Sequence, residues 1–531
     1  MALILLYLLS CATEPNPVEA MSAYDVSAVA LLERASLDLR GVRPSIAEVE
    51  AVEADPASVN LRIEEFLQDP RFGERVRSFF ADIYLTRQDA FPVTASDYGS
   101  DDEATFAASV GDEPLQILSA IAEQDLPYSQ IVTADWTMSN ELLATTWPIA
   151  YPEGAEGWQR STYTDGRPHS GILTTNGMWW RYQSNGSNSN RGRANALSRI
   201  LLCTDYLSKP IDFDRNVNLL DDAAVNDALK TNEGCVACHY SLDPLGSYLW
   251  GFYFVDYNSK SDTSSYHPER EETWQTTTEV APGYYGQPGY TLDDLGGQIA
   301  ADPKLAECIT QQVFEKMTQR TVTLDDTERL TTLRETFLAN GQTLRSLFLA
   351  TAGTPEYQEA LSLSAPSRKL VSPDQLASMI EDITGFRFTY QGFDMMQTDA
   401  YGVRTLAGGV DGVFSTRPAS EATATMVLVH ERLAQAAAWY VVNEDRTNPS
   451  EARLFTEVGV TTTPTSDPEA MAAQVQLLHL RLFGKRIAAD GEEVAANLAL
   501  WSDLYDVDGD PAAAWAGVLS VLLRDPEFLL Y

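Results

Sequence analysis

Residues 234–240 read Gly-Cys-Val-Ala-Cys-His-Tyr, and no other stretch narrows the possible folds so far. Cys235-x-x-Cys238-His239 is the spacing of a c-type haem attachment site. It sets two thiols within reach of the two haem vinyl groups and places an imidazole beneath the iron. A zinc site built on the same three side chains needs a fourth ligand, and the sequence has no second Cys-x-x-Cys or Cys/His cluster to supply one. A thioredoxin-like redox pair needs a strand before the motif, whereas residues 221–230 have a helical pattern. One covalent haem is therefore the expectation.

Covalent haem attachment takes place on exported chains, and the N-terminus agrees with export. Residues 1–10, MALILLYLLS, are uncharged and apolar. Leu8-Leu9-Ser10-Cys11 resembles the lipobox of bacterial lipoproteins, with Cys11 as the lipidated residue and Ala12 favouring the outer membrane. The run is short and lacks the usual basic flank. No later segment reaches the roughly 18 apolar residues that span a bilayer, so membrane contact is expected only through an N-terminal lipid anchor. The net charge of −39 is spread along the 531 residues, which argues against nucleic acid and anionic headgroups as partners. A solvated acidic surface accounts for this charge, and so does docking of a basic redox partner. With 44% hydrophobic and 10% aromatic residues, the composition is that of a folded chain.

Helical periodicity dominates, and one pattern occurs three times. Ser45-Ile-Ala-Glu48, Thr323-Leu-Asp-Asp326 and Asp490-Gly-Glu-Glu493 each set a capping residue three positions before an acid. A short basic turn precedes each: Arg40-Gly41-Val42-Arg43, Gln319-Arg320-Thr321-Val322 and Gly484-Lys485-Arg486-Ile487. About 25 to 40 residues later each unit closes on x-Pro-x-aromatic, at Pro70-Arg71-Phe72, Pro355-Glu356-Tyr357 and Pro526-Glu527-Phe528, a length that suits two helices and a turn. Helical hairpins are predicted, with proline ending the second helix and the aromatic fixing the exit. Residues 258–290 read as long loops.

A family resemblance gathers on these residues. Gly171-Ile-Leu-Thr174, Arg191-Gly192, Leu201-Leu202-Cys203 and Cys235-x-x-Cys238-His239-x-x-x-Asp243-Pro244-Leu245-Gly246 together resemble the haem-motif domain of the planctomycete-type cytochrome c family, large exported proteins of planctomycetes and myxobacteria. Residues 37–75 resemble that family's N-terminal helical module, residues 133–141 the module before the haem domain, and residues 477–531 its terminal module. The chain departs from the family after Gly246, where Ser247-Tyr248-Leu249-Trp250-Gly251-Phe252-Tyr253 replaces an apolar and acidic run, and the modules stand in a different order. The resemblance implies a haem-bearing exported protein and says little about substrate. The fold expected is mainly α, with several helical modules around a c-type cytochrome haem domain, long loops and little β. The divisions expected are a signal segment over 1–11, N-terminal modules over 12–150, the haem domain over 151–275, a module completing it over 276–362, a linker over 363–373 and a C-terminal module over 374–531.

Several residues are candidates for roles around the haem. His239 is the proximal ligand, and the Pro244 carbonyl is a candidate to accept its free N–H, in a turn where Asp243-Pro244 stops the motif helix. Gly246 would allow a positive φ or a close backbone approach to the haem edge. Met178 and Met317 are the leading distal iron ligands, with His169, His267 and an open position as alternatives, and core filling is the ordinary role for either methionine. Trp179-Trp180-Arg181-Tyr182 would stack on a porphyrin or a sugar, or serve as core. With Cys11 assigned to lipid and Cys235 and Cys238 to haem, Cys203 and Cys308 remain, and the resemblance places a cysteine at each; a disulfide is expected there, or else two buried thiols. Asp506-Val-Asp508-Gly-Asp510 starts like a calcium loop but reads better as a turn, since Pro511 follows and the acidic twelfth position is missing. Gly-x-Ser-x-Gly, the P-loop and His-Glu-x-x-His do not occur. An electron carrier using a redox partner protein or a quinol or cytochrome pool is the leading class, ahead of a catalyst. The alternative is an exported binding or scaffold protein with a structural or sensory haem.

Overall fold

Local chemistry at residues 28–84 fixes the first helical unit. The Ala28–Arg40 helix stops at Gly41, whose φ of 74° lies in the left-handed region that glycine enters without a Cβ clash. Ser45 then caps Ile46–Ala54: its hydroxyl accepts from the Glu48 amide while the Glu48 carboxylate accepts from the Ser45 amide. Val59–Phe66 forms the second arm, and Pro70 leads into Arg71–Tyr84. The computed structural model describes residues 27–531 except 89, 90, 92, 187, 209–216, 219, 256–258, 360–367, 399, 412–414, 416 and 460. Cys11, the expected lipidation site, lies outside the described residues.

The unit recurs twice. In the second, Pro303–Thr318 ends on left-handed Gln319, a Thr323–Asp326 box follows, and Thr327–Ala339 and Leu344–Ala352 make the hairpin before Pro355. In the third, Pro468–Phe483 ends on left-handed Gly484, and Glu492–Asp508 pairs with Pro511–Leu522 before Pro526. The basic turns grip the capping acids, Arg40 to Glu48 at 2.9 Å and Arg320 to Asp326 at 2.6 Å. The third unit departs from the predicted box. Gly491 is its N-cap, so Asp490 stands one residue too early to reach the free amides, and Arg486 pairs instead with Glu50 and Glu53 of the first unit at 3.1 Å. The prolines do more than stop a helix, because each stands at the start of the next one. Phe72, Tyr357 and Phe528 behind them are all buried.

The fold is mainly helical. One hydrophobic core gathers side chains from Leu31 to Tyr357, so the divisions expected at 150 and 275 fall inside it. A second core runs from Val371 to Phe528 and takes in Leu37 from the first helix. The seam between the two is polar. Asp38, buried there, meets the Lys369 ammonium and accepts from the hydroxyls of Tyr357 and Tyr531, each at 2.8 Å. Of the linker expected over 363–373, residues 363–367 lie outside the described set; Lys369 and Val371 bond to the backbone of Tyr531 and Leu529.

Strands are few. β1 (Thr137–Ser139), β2 (Ile149–Ala150) and β3 (Gln159–Tyr163) form an antiparallel sheet in the order β1-β3-β2, with Thr137 opposite Ser161 and Ile149 opposite Tyr163. Where long loops were expected, residues 258–290 contain the short helices Lys260–Ser264, Pro268–Thr273 and Trp274–Thr277 and a tight hairpin at Gly283–Pro288. Of the acidic run at 506–510, residues 506–508 end the helix Glu492–Asp508, and the turn is Gly509 and Asp510, which cap that helix and the next. No helix among the described residues is long and apolar enough to cross a membrane.

Candidate functional site

The motif occupies the first two turns of a single helix, Glu233–Ser247. Asn232 caps it, its side chain accepting from the amides of Gly234 and Cys235. At 100° per residue, Cys235, Cys238, His239 and Leu242 share one stripe about 100° wide. Both thiols are free and half-buried, and Cys238 packs against the main core. The polar end of the helix is therefore accessible, while the end from Ser241 onward is buried.

His239 is held by a relay of charged groups. Its Nδ1 lies 2.8 Å from Oδ1 of Asp243, one helical turn on, and Arg191 grips the same carboxylate through Nε at 2.7 Å and Nη2 at 3.0 Å. Burial pushes the Asp243 carboxyl up, but the hydrogen bonds from His239 and Arg191 outweigh it, so the group stays ionised below the ordinary carboxylate range. An ionised carboxylate only accepts, so Nδ1 carries a proton, and in the neutral ring the lone pair is on Nε2. Nε2 has no hydrogen-bond partner among the described residues.

Two expectations about the following residues need correction. Pro244 does not stop the motif helix; it lies inside it, and the helix continues to Ser247. Burial of Leu245 and Leu249 in the main core outweighs the loss of one backbone hydrogen bond at proline. His239 Nδ1 is also taken by the Asp243 carboxylate, not by the Pro244 carbonyl. Gly246 keeps a helical conformation, and its close approach is to the backbone of Ser189 and Asn190, 3.2 Å from where a Cβ would sit. The Asp243 role was missed, although His-x-x-x-Asp on a helix puts the two side chains on one face. Arg191 comes from another helix, Arg191–Leu202, and nothing local marks it.

The remaining candidates are placed as follows. Cys203, the left-handed cap of that helix, is bonded to Cys308 on Pro303–Thr318, with the Cα atoms 5.3 Å apart. Met178 and Met317 are both fully buried in the main core, whereas the His239 ring is 24% exposed. His169 is exposed. Both ring nitrogens of His267 are engaged, Nδ1 with Glu269 and Nε2 with the Asp262 carbonyl. Trp179 and Trp180 are core, their indole N–H groups donating to the carbonyls of Leu173 and Thr263. Tyr240, 67% exposed, lies on the side of the helix away from the stripe, with its hydroxyl near Gly286; Tyr206, just before the 77% exposed Leu207, bonds Ser241 through its hydroxyl at 2.7 Å. The donor set suits haem c, with two free thiols and one imidazole whose Nδ1 is held by a carboxylate.

Residues 18–165 match the family model PSCyt2, described as a protein of unknown function (DUF1549), and the name is that of a planctomycete cytochrome-type domain family. The match covers the first helical unit and the three-stranded sheet and ends before the motif helix. No curated protein and no solved structure matches the chain.

Proposed function

We propose that this protein is an exported c-type cytochrome that carries one covalent haem on Cys235 and Cys238, with His239 as proximal ligand, and transfers electrons outside the cytoplasm. The observation that carries the reading is the stripe of two free thiols and one oriented imidazole on an accessible helix turn. Bound there, haem would supply a one-electron iron couple. The chain's own part is to hold the Nδ1 proton on His239 and to leave Nε2 bare. The Cys203–Cys308 bridge suits an oxidising compartment, which supports export. An N-terminal lipid on Cys11 would keep the protein at the outer membrane, facing the periplasm or the cell surface. Met178 and Met317 would need the core to open before either reached the iron, so a distal position open to solvent or to a partner fits better.

Expression in a host with a c-type maturation system tests this. Haem should stay with the denatured chain after acid–acetone extraction, and a C235S/C238S variant should release all of it while unfolding at the same midpoint as the haem-free wild type. Complete loss of haem to the solvent phase from the matured wild-type chain would overturn the proposal.

A further inference from the structure

Resting on the reading of the motif as a haem attachment site, we infer that Asp243 and Arg191 are opposed positioning residues that set how strongly His239 donates to iron, and through it the reduction potential. The acceptor at Nδ1 is a charged carboxylate at 2.8 Å, where a main-chain carbonyl would be neutral. Such a charge-assisted bond draws the Nδ1 proton toward oxygen, increases electron density on the ring and makes Nε2 a stronger donor. Stronger donation and the carboxylate's own charge both favour the oxidised state of a bound iron. Arg191 works the other way. Its fork on both oxygens of Asp243 divides the acceptor strength and brings a positive charge beside the ring.

The arrangement is fixed by the fold. Asp243 is one turn from His239 on the same helix, so their separation follows from helical geometry. Arg191 begins a helix packed along the motif helix, directly after Asn190, whose left-handed φ of 65° turns the chain into it. The side chains of Asp243 and Arg191 are only 10% and 22% exposed, so water screens them incompletely. A pair with a purely structural role would not move the potential in two directions.

Potentiometric titration of the matured full-length protein, as wild type, D243N and R191Q, tests the inference. D243N should raise the midpoint by a tenfold or greater change in the reduction equilibrium, about 59 mV for one electron. R191Q should lower it by several-fold. Nitrogen-15 spectra of the haem-free chain give a second readout: the His239 ring should be a single Nδ1–H tautomer in the wild type and a mixture in D243N. If all three proteins carry covalent haem and their midpoints agree within twofold, or both variants shift the same way, the inference is overturned while the attachment reading stands. An Nε2–H tautomer in the wild type also overturns it. Absence of covalent haem from the wild type removes the attachment reading, and the inference with it.

Discussion

The three helical units and the segment between Cys203 and Cys308 are built on different terms. Each unit closes through a left-handed cap and a buried aromatic behind a proline, and the first two add an arginine grip on the capping acid. The motif segment does not. Among the described side chains its Asp222–Thr231 helix buries only Ala228, Leu220 just before it is 96% exposed, and the motif helix starts to bury side chains only after His239. Fully burying one large apolar side chain is worth roughly 1.5–3 kcal/mol, and the attachment half of the helix goes without that contribution. A covalent tie at the base of the segment compensates for it. The lesson is that the site is kept accessible by being underpacked, while its neighbours carry the stability.

The largest effect should come from cutting that tie. The bridge spans 105 residues, and a C203S/C308S variant should lose about 5 kcal/mol by the chain-entropy argument. Urea unfolding measures the loss, and limited proteolysis should show new cleavage within residues 203–308; equal cleavage in the hairpins would break the comparison. Next come Phe72→Ala and Phe528→Ala, each expected to cost about 4 kcal/mol, because a rigid unit cannot collapse onto the void.

A pH effect should follow within the packed body. Burial pushes the Glu113 carboxyl up to about 7, and hydrogen bonds from Tyr163, the Gly177 amide and Thr137 offset only part of that rise. A carboxyl raised above its ordinary 4.5 contributes stability that is fully present below that pH and is lost as pH climbs through 7. Wild-type stability should therefore fall by about 3 kcal/mol across this window. Chemical denaturation at stepped pH should show a flatter profile for Glu113→Gln, and an unchanged slope would remove this group from the account.

The smallest effect compares two units with each other. Ser45→Ala breaks a reciprocal box and should cost about 1 kcal/mol, while Asp490→Ala, outside any box, should leave the unfolding midpoint where it is.

The hairpins were legible because capping and proline-aromatic closure are local rules, and the two boxes at 45 and 323 form as read. The third was misplaced by one residue, since Asp490 and Gly491 offer adjacent cap positions and sequence alone does not choose between them. Pro244 was misread for the opposite reason: a local stop signal gave way to tertiary burial of Leu245 and Leu249. The attachment residues were visible as a motif; Asp243 was read as part of a helix stop although its i,i+4 spacing from His239 was there, and Arg191 lies 52 positions upstream of it, where only the packed helices bring it in. Met178 and Met317 show the limit from another side. A thioether meant for iron and one meant for core look alike until burial is known.

The seam at Asp38 has a consequence in time. Its three partners lie at 357, 369 and 531, and the last is 493 positions away. At about 5–20 residues per second of synthesis, the carboxylate waits roughly 25 to 100 seconds between its own emergence and that of Tyr531. During that interval the first unit can close around its own caps and Lys369 arrives to meet the charge, but the second core, which runs to Phe528, is still incomplete. The two bodies are therefore expected to set in sequence, with the seam as the last part of the molecule to become native.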